Sequence, residues 1–251
     1  MAAFDTVLVD IAGGIATLTL HRPDRLNALD GELCEDLIGA LRQVTQSAHV
    51  RVVIVTGAGR AFCAGADLAV LAEQGQALVA AGREIALLLR TAPQPVIAAV
   101  NGAAAGGGAN LALACDYRVA SDQAQIGQVF PRLGLGQDWG GSYFLPRLVR
   151  PSVALELVWS ARMVPAAEAL ALGLFDRVVP GDRLRDEART LAAAWAAHPP
   201  LALRRVKEGI YQSAGASLVD MLDWEVGQQA ELFATPEARE RLAAQAAARR
   251  R

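Results

Sequence analysis

Asp138 is the residue whose type and setting could support a reaction. It stands in "GLGQDWGGSYFLPRL" (134–148), ahead of two glycines and an apolar run that reads as a helix. An aspartate there has two uses. Its oxygen can cap the helix by accepting from a free N–H of the first turn, or its carboxyl can take up and return a proton. The local sequence favours the cap and leaves the second use open.

Two other segments carry chemistry. "GAGRAFCAGADL" (57–68) follows the apolar run "VVIVT", and "NGAAAGGGANLALACD" (101–116) follows "VIAAV". In each, small residues stand where a strand hands over to a helix. A ligand can approach the backbone there, and the first N–H groups of the helix are unpaired. Two such groups aimed at one oxygen form an oxyanion hole, in which one donor is typically worth about 3–4 kcal/mol. Phosphate cradling fits less well. The third glycine position of a GxGxxG is Phe62 in "GAGRAF", and no GK[ST] sequence is present. Either glycine turn alone would read as tight helix–strand packing; the two together point to a shared site.

The elements that must position these residues alternate. "DTVLVDIAGGIATLTLHRP" reads as a β-hairpin around Gly13-Gly14, and "ELCEDLIGALRQV" as a helix with a stripe at Leu33, Leu37, Leu41 and Val44. "VRVVIVTG", "PVIAAVNG" and "DYRVAS" read as buried strands, with helices at "EIALLLR" and "GGANLALAC". This rhythm predicts an α/β fold with a mostly parallel sheet. From about residue 150 the chain reads as Ala- and Leu-rich helices with few strand signals. The expected division is a core domain over residues 1–195 and a C-terminal helical region over 196–251, for oligomerisation and pocket closure.

Composition narrows the function. The chain has 251 residues, enough for a sizeable core, and 24 basic against 26 acidic residues give a net charge of −2. No nucleic-acid partner is implied by that balance, and no apolar run reaches the length of a membrane span. Cys34, Cys63 and Cys115 show no CxxC spacing and read as buried reduced thiols of a cytoplasmic protein. His21, His49 and His198 lie far apart and in no ligand motif, so no metal is expected.

Five segments together resemble the crotonase (enoyl-CoA hydratase/isomerase) superfamily in order and spacing: "HRPDRLNAL" (21–29), "AFCAGADL" (61–68), "NGAAAGGGANLALACDYRVAS" (101–121), "GLGQDWGGSYFLPRLVR" (134–150) and "AAEALALGLFDRVV" (166–179). The resemblance implies a spiral of ββα repeats with a C-terminal helical region, assembled as homotrimers that often pair into hexamers. It implies an acyl-CoA substrate and no further cofactor. By the same resemblance the thioester carbonyl is expected between the N–H groups of Ala66 and Gly107. Arg25 and Ala28 are expected along the adenine and pantetheine path, and Ala64, Asp67 and Leu68 beside the thioester. Asp67 itself reads better as a helix cap.

The chain departs from the hydratase pattern of that superfamily. Where hydratases hold a water between two glutamates, this sequence has Asn110 and Phe130. Asn can orient a water but cannot exchange a proton at neutral pH, and Phe can do neither. Asp138, 31 residues after Gly107, instead falls where non-hydratase members place a single acid. The segment is most similar to the ring-modified phenylacetyl-CoA isomerases; many relatives have Pro in place of Gln137. An aryl-CoA dehalogenase fits less well, because a suitably placed histidine is missing between 61 and 138. The expected chemistry is a shift of an enoyl-CoA double bond from the 3 to the 2 position. Asp138 carries the proton, Asn110 is a polar neighbour, and Phe130, Leu133 and Trp139 are apolar walls that raise its pKa, with plain core packing as the alternative for Phe130 and Trp139. The alternatives are hydration of a 2-enoyl-CoA and non-catalytic acyl-CoA binding. The tail "LFATPEARERLAAQAAARRR" has a helix but no aromatic after Phe233, so Arg249–Arg251 could meet CoA phosphates only through charge.

Overall fold

A computed structural model describes residues 4–249, so Arg250 and Arg251 of the basic tail lie outside it. The predicted hairpin forms: β1 (Val7–Ala12) and β2 (Ile15–Leu20) pair antiparallel across Gly13-Gly14. Helix α1 (Gly31–Gln46) follows, and its predicted stripe of Leu33, Leu37, Leu41 and Val44 is wholly buried. Each such side chain contributes about 1.5–3 kcal/mol relative to an exposed one.

The next stretch repeats one unit, a strand in a large sheet, a strand in a small sheet, then a helix. The units are β3 (Val52–Gly57), β4 (Ala61–Cys63) and α2 (Leu68–Thr91); β5 (Val96–Val100), β6 (Ala103–Ala105) and α3 (Gly107–Ala114); and β7 (Tyr117–Ser121), β8 (Gln125–Gly127) and α4 (Gly141–Leu148). Then come α5 (Pro151–Ser160), β9 (Met163–Pro165), α6 (Ala166–Leu172), β10 (Arg177–Val179) and α7 (Leu184–Ala196). The large sheet runs β1-β2-β3-β5-β7-β10 and the small one β4-β6-β8-β9. From β2 to β10 the large sheet is parallel. Its central strands β3 and β5 are buried at every residue, which is why they read as unbroken apolar runs. One face of the sheet packs on α7 through Ile54, Ile97 and Val119 against Leu184, Ala188 and Ala192. The other meets the main core, which includes α1 and α3.

Two expectations change. Helix α2 starts at Leu68, well before the predicted "EIALLLR", because Asp67 caps it and the alanine-rich stretch between sustains it. Strands also continue past residue 150: β9 closes the small sheet antiparallel to β8, and β10 pairs with β7. Three residues are too few to show an alternating pattern, so neither strand was legible.

The remaining helices are α8 (Pro200–Gln212), α9 (Leu218–Ala234) and α10 (Pro236–Ala248). Lys207 pins α8 to the core. Its ammonium pairs with Asp116 at 2.7 Å and donates to the Leu89 and Gln94 carbonyls, while Tyr211 donates to the same carboxylate. No helix among the described residues is long and apolar enough to cross a membrane. The three cysteines are free and buried, and burial pushes each thiol up to about 12.

Candidate active site

Because β4 and β6 are neighbours in the small sheet, the two glycine-rich turns that leave them lie side by side. Leu29 ties down the first. Its N–H donates to Gly65 and its carbonyl accepts from Asp67, each at 2.8 Å. These bonds leave the N–H of Ala66 on the opposite edge of the chain, with no partner among the described residues. In the second turn Gly106 adopts φ 53° and ψ −123°, a conformation that only glycine takes without strain. Gly107 follows as the first residue of α3, where an N–H has no carbonyl within the helix to bond. A side chain at Gly108 would meet the Cys63 carbonyl oxygen at 2.2 Å, so α3 rests directly on the backbone of β4. Ala66 and Gly107 line one cavity of about 230 Å³.

The opposite wall comes from the segment between β8 and α4. A short 3₁₀ turn, Phe130–Leu133, brings Phe130 and Leu133 to the cavity, and the chain then passes through Asp138 and Trp139 into α4. Trp139 is in the left-handed region at φ 49°, a strain of about 1–2 kcal/mol for a non-glycine residue. Packing holds it there: the side chain is 4% exposed and both lines the cavity and belongs to the core. The two uses foreseen for this residue therefore coexist.

Among the described residues, Asp138 is the sole carboxylate on the cavity wall. It does not cap α4, whose N-cap is Gly140. The main-chain carbonyl of Asp138 is clamped instead, accepting from Gly141 N–H at 2.8 Å and from Asn110 Nδ2 at 2.8 Å. Behind Asn110 runs a chain of amides. Gln128 donates to Asn110 Oδ1 at 2.8 Å, and Gln137 donates to Gln128 at 3.0 Å. With its backbone fixed in this way, the Asp138 carboxyl carries an oxygen, Oδ1, that is buried and without a partner among the described residues. Desolvation disfavours the charged form and pushes its pKa up to about 6.

Of the residues singled out in the sequence, Ala64, Ala66, Leu68, Gly107, Phe130, Leu133, Asp138 and Trp139 meet around this cavity. Four do not. Asn110 is fully buried beneath Asp138, so it holds the peptide of the acid rather than facing the cavity. Asp67 caps α2 through Ala69 N–H and pairs with Arg22 at 3.3 Å. Arg25 is exposed and Ala28 is buried, and neither reaches the cavity wall. The segment they share acts structurally here. Buried Asn27 donates to the carbonyls of Ala58, Ala61 and Phe62 and accepts from Arg22 N–H, and Arg22 also pairs with Asp30 at 2.7 Å.

Sequence reasoning missed the face that α2 presents. Leu71, Gly75 and Leu78 join the expected Leu68 on the cavity wall at helical spacing, a signal that was present once α2 is started at residue 68. It also missed Val129, Arg132 and Leu135, which sit in or beside the short 3₁₀ turn, too brief a stretch to show a periodicity.

Two N–H groups with no partner among the described residues, on one cavity with a desolvated carboxyl, make a site suited to carbonyl compounds. The donors stabilise charge on the oxygen while the acid exchanges a proton at carbon. Comparison with known proteins gives the class. A family model described as enoyl-CoA hydratase/isomerase matches residues 10–249. A probable enoyl-CoA hydratase of Rhodobacter capsulatus is 37% identical over 242 residues, 95% of this chain and 93% of that one. The 1,2-epoxyphenylacetyl-CoA isomerase of Escherichia coli is 35% identical over 227 residues, 87% of each chain. The crystal structure of an enoyl-CoA hydratase from Bacillus anthracis superposes with a TM-score of 0.92 at 37% identity, covering 96% of this chain and 95% of that one. The chain belongs to the enoyl-CoA hydratase/isomerase family, and its fold is the crotonase spiral.

Proposed function

We propose that this protein isomerises an enoyl-CoA, moving a double bond from the 3 to the 2 position, with Asp138 as the proton carrier. The observation that carries this reading is the acid inventory of the cavity. Among the described residues Asp138 is its one carboxylate, while the two positions that would be glutamates in a hydratase are a buried Asn110 and an apolar Phe130. Adding water needs both an activated nucleophile and a proton donor. Moving a double bond needs one group that removes a proton and returns it.

In the proposed cycle the thioester oxygen lies on Ala66 and Gly107 N–H. Asp138 takes the proton from C2, and the electron pair of that bond spreads over a dienolate whose negative charge rests on the oxygen. The protonated acid then delivers the same proton to C4, leaving the double bond between C2 and C3. Substrate and product are isomers, so no water or co-reactant is consumed. A carboxyl with a pKa near 6 suits both halves, being largely ionised at neutral pH yet a better proton acceptor than an ordinary aspartate.

Hydration remains the second reading, because the Rhodobacter relative is named a probable hydratase. The test supplies a 3-enoyl-CoA and a 2-enoyl-CoA separately to wild type and to Asp138→Asn. The isomerase reading expects wild type to convert the first and barely hydrate the second, with the variant losing isomerisation about 100-fold or more. Efficient hydration by wild type, or isomerisation retained in the variant, overturns it.

A further inference from the structure

Among the described residues, Trp139 is the one residue shared by the linings of two cavities. One is the cavity that holds Asp138, about 230 Å³. The other, of about 380 Å³, lies between α2 and α4, with Val79, Ala86, Leu87, Tyr143 and Phe144 on its walls and Arg83 and Arg90 beside them. The indole is tightly seated. A Cβ on Gly82 of α2 would come within 2.1 Å of the ring, and one on Gly107 within 3.6 Å. So the ring fills the space between the helix that carries the cavity's apolar face and the residue that carries an oxyanion donor. Gly82 has no side chain where the indole lies; any larger residue would drive it towards Gly107.

We propose that Trp139 sets the depth of acyl group this site accepts, by closing the catalytic cavity against the apolar space between α2 and α4. The inference rests on the acyl-CoA reading given above, but not on which reaction follows binding. Removing the indole joins the two spaces and gives a longer chain apolar walls to bury against. Each buried methylene then contributes to affinity, where in the wild type it meets the ring.

The test is calorimetric binding of two unreactive thioethers, S-hexyl-CoA and S-dodecyl-CoA, to the full chain. Wild type is expected to gain little from the longer chain, about threefold at most, whereas Trp139→Ala raises the dodecyl-to-hexyl affinity ratio about tenfold or more. Adding Leu87→Trp, which fills the second space from its exposed side, should return the ratio towards the wild-type value. Leu87→Trp alone should leave both affinities unchanged. An unchanged ratio in Trp139→Ala overturns the proposal. So does a wild type that already prefers dodecyl tenfold, or a dodecyl affinity that Leu87→Trp alone lowers, since the chain would then pass the indole. If Trp139→Ala does not fold, Trp139→Leu keeps apolar packing at the site and is judged by the same ratio. Thioether binding with no conversion of 3-enoyl-CoA would sink the isomerase reading and leave this one standing. Binding of neither thioether would end both.

Discussion

Asp67 and Asp138 look alike in the sequence, each a lone aspartate between small residues and a helix, yet the molecule uses them differently. Asp67 spends its carboxylate locally, on the first turn of α2 and on the Arg22 guanidinium. Asp138 spends nothing of its carboxyl on α4, because the left-handed pair Trp139-Gly140 intervenes and Gly140 becomes the cap. Its peptide is held instead, by Gly141 and Asn110, and the carboxyl is left against apolar walls with one oxygen unsatisfied. Local satisfaction makes a cap; local frustration, supported by a fixed backbone, makes a group that is ready to accept a proton.

The largest effect expected from breaking this contrast is on turnover. Asp138→Asn should lower isomerisation about 100-fold or more, while Asp67→Asn should stay within about threefold of wild type in the same assay. Equal losses in the two variants would erase the distinction. A pH profile sharpens it. If the ionised Asp138 is the base, kcat/KM should rise with pH to a plateau above about 6, falling roughly tenfold for each unit below that value. The same limb should be absent from whatever activity Asp138→Asn retains.

Smaller effects separate the carboxyl from its support. Asn110→Ala should lower kcat about tenfold with little change in KM, because the loosened peptide of Asp138 misplaces the acid without touching substrate. It should also destabilise the fold by about 1–3 kcal/mol, since Gln128 loses a buried acceptor. Stability should then move in opposite directions for the two aspartates. Asp67→Ala removes a cap and should cost about 1–2 kcal/mol by denaturant titration at neutral pH.

For Asp138 the sign is reversed. Its pKa in the folded chain lies above the ordinary value of 3.8, so the folded state binds the proton more tightly than the unfolded one. That contribution to stability is fully present below pH about 4 and is lost as pH rises towards 6. Asp138→Asn should therefore melt about 2–4 °C higher than wild type at neutral pH, equivalent to about 1 kcal/mol, and gain little in acid. A variant less stable than wild type at neutral pH would mean that the carboxylate has a partner after all.

Much of this site was legible before the fold was known, and its failures have a common form. The two glycine turns and Asp138 stood out because clustered glycines at strand–helix junctions and a lone acid ahead of a helix are unusual residue choices. Asn110 is the polar neighbour of Asp138 that was expected, but its identity as a polar residue beside the turn says nothing about which way it points. Only the packing of α4 over α3 turns its amide towards the peptide of Asp138. Arg25 and Ala28 were picked from a segment whose visible work in this chain is done by Arg22 and Asn27, through contacts to residues more than 30 positions away. The α2 wall was hidden by a late estimate of where that helix starts.

By itself, then, the sequence determined the alternation of strands and helices, the hairpin at Gly13-Gly14, the buried stripe of α1 and the residue types available for chemistry. These depend on local periodicity and on backbone preferences that each short stretch carries with it. The tertiary structure alone decided that the turns after β4 and β6 lie side by side, because strand order in the small sheet is a non-local choice. It alone decided that Trp139 is squeezed between two glycines on different helices. And it alone decided that one aspartate is solvated by a helix end while the other is not, since desolvation is set by whatever the rest of the chain packs around a carboxyl.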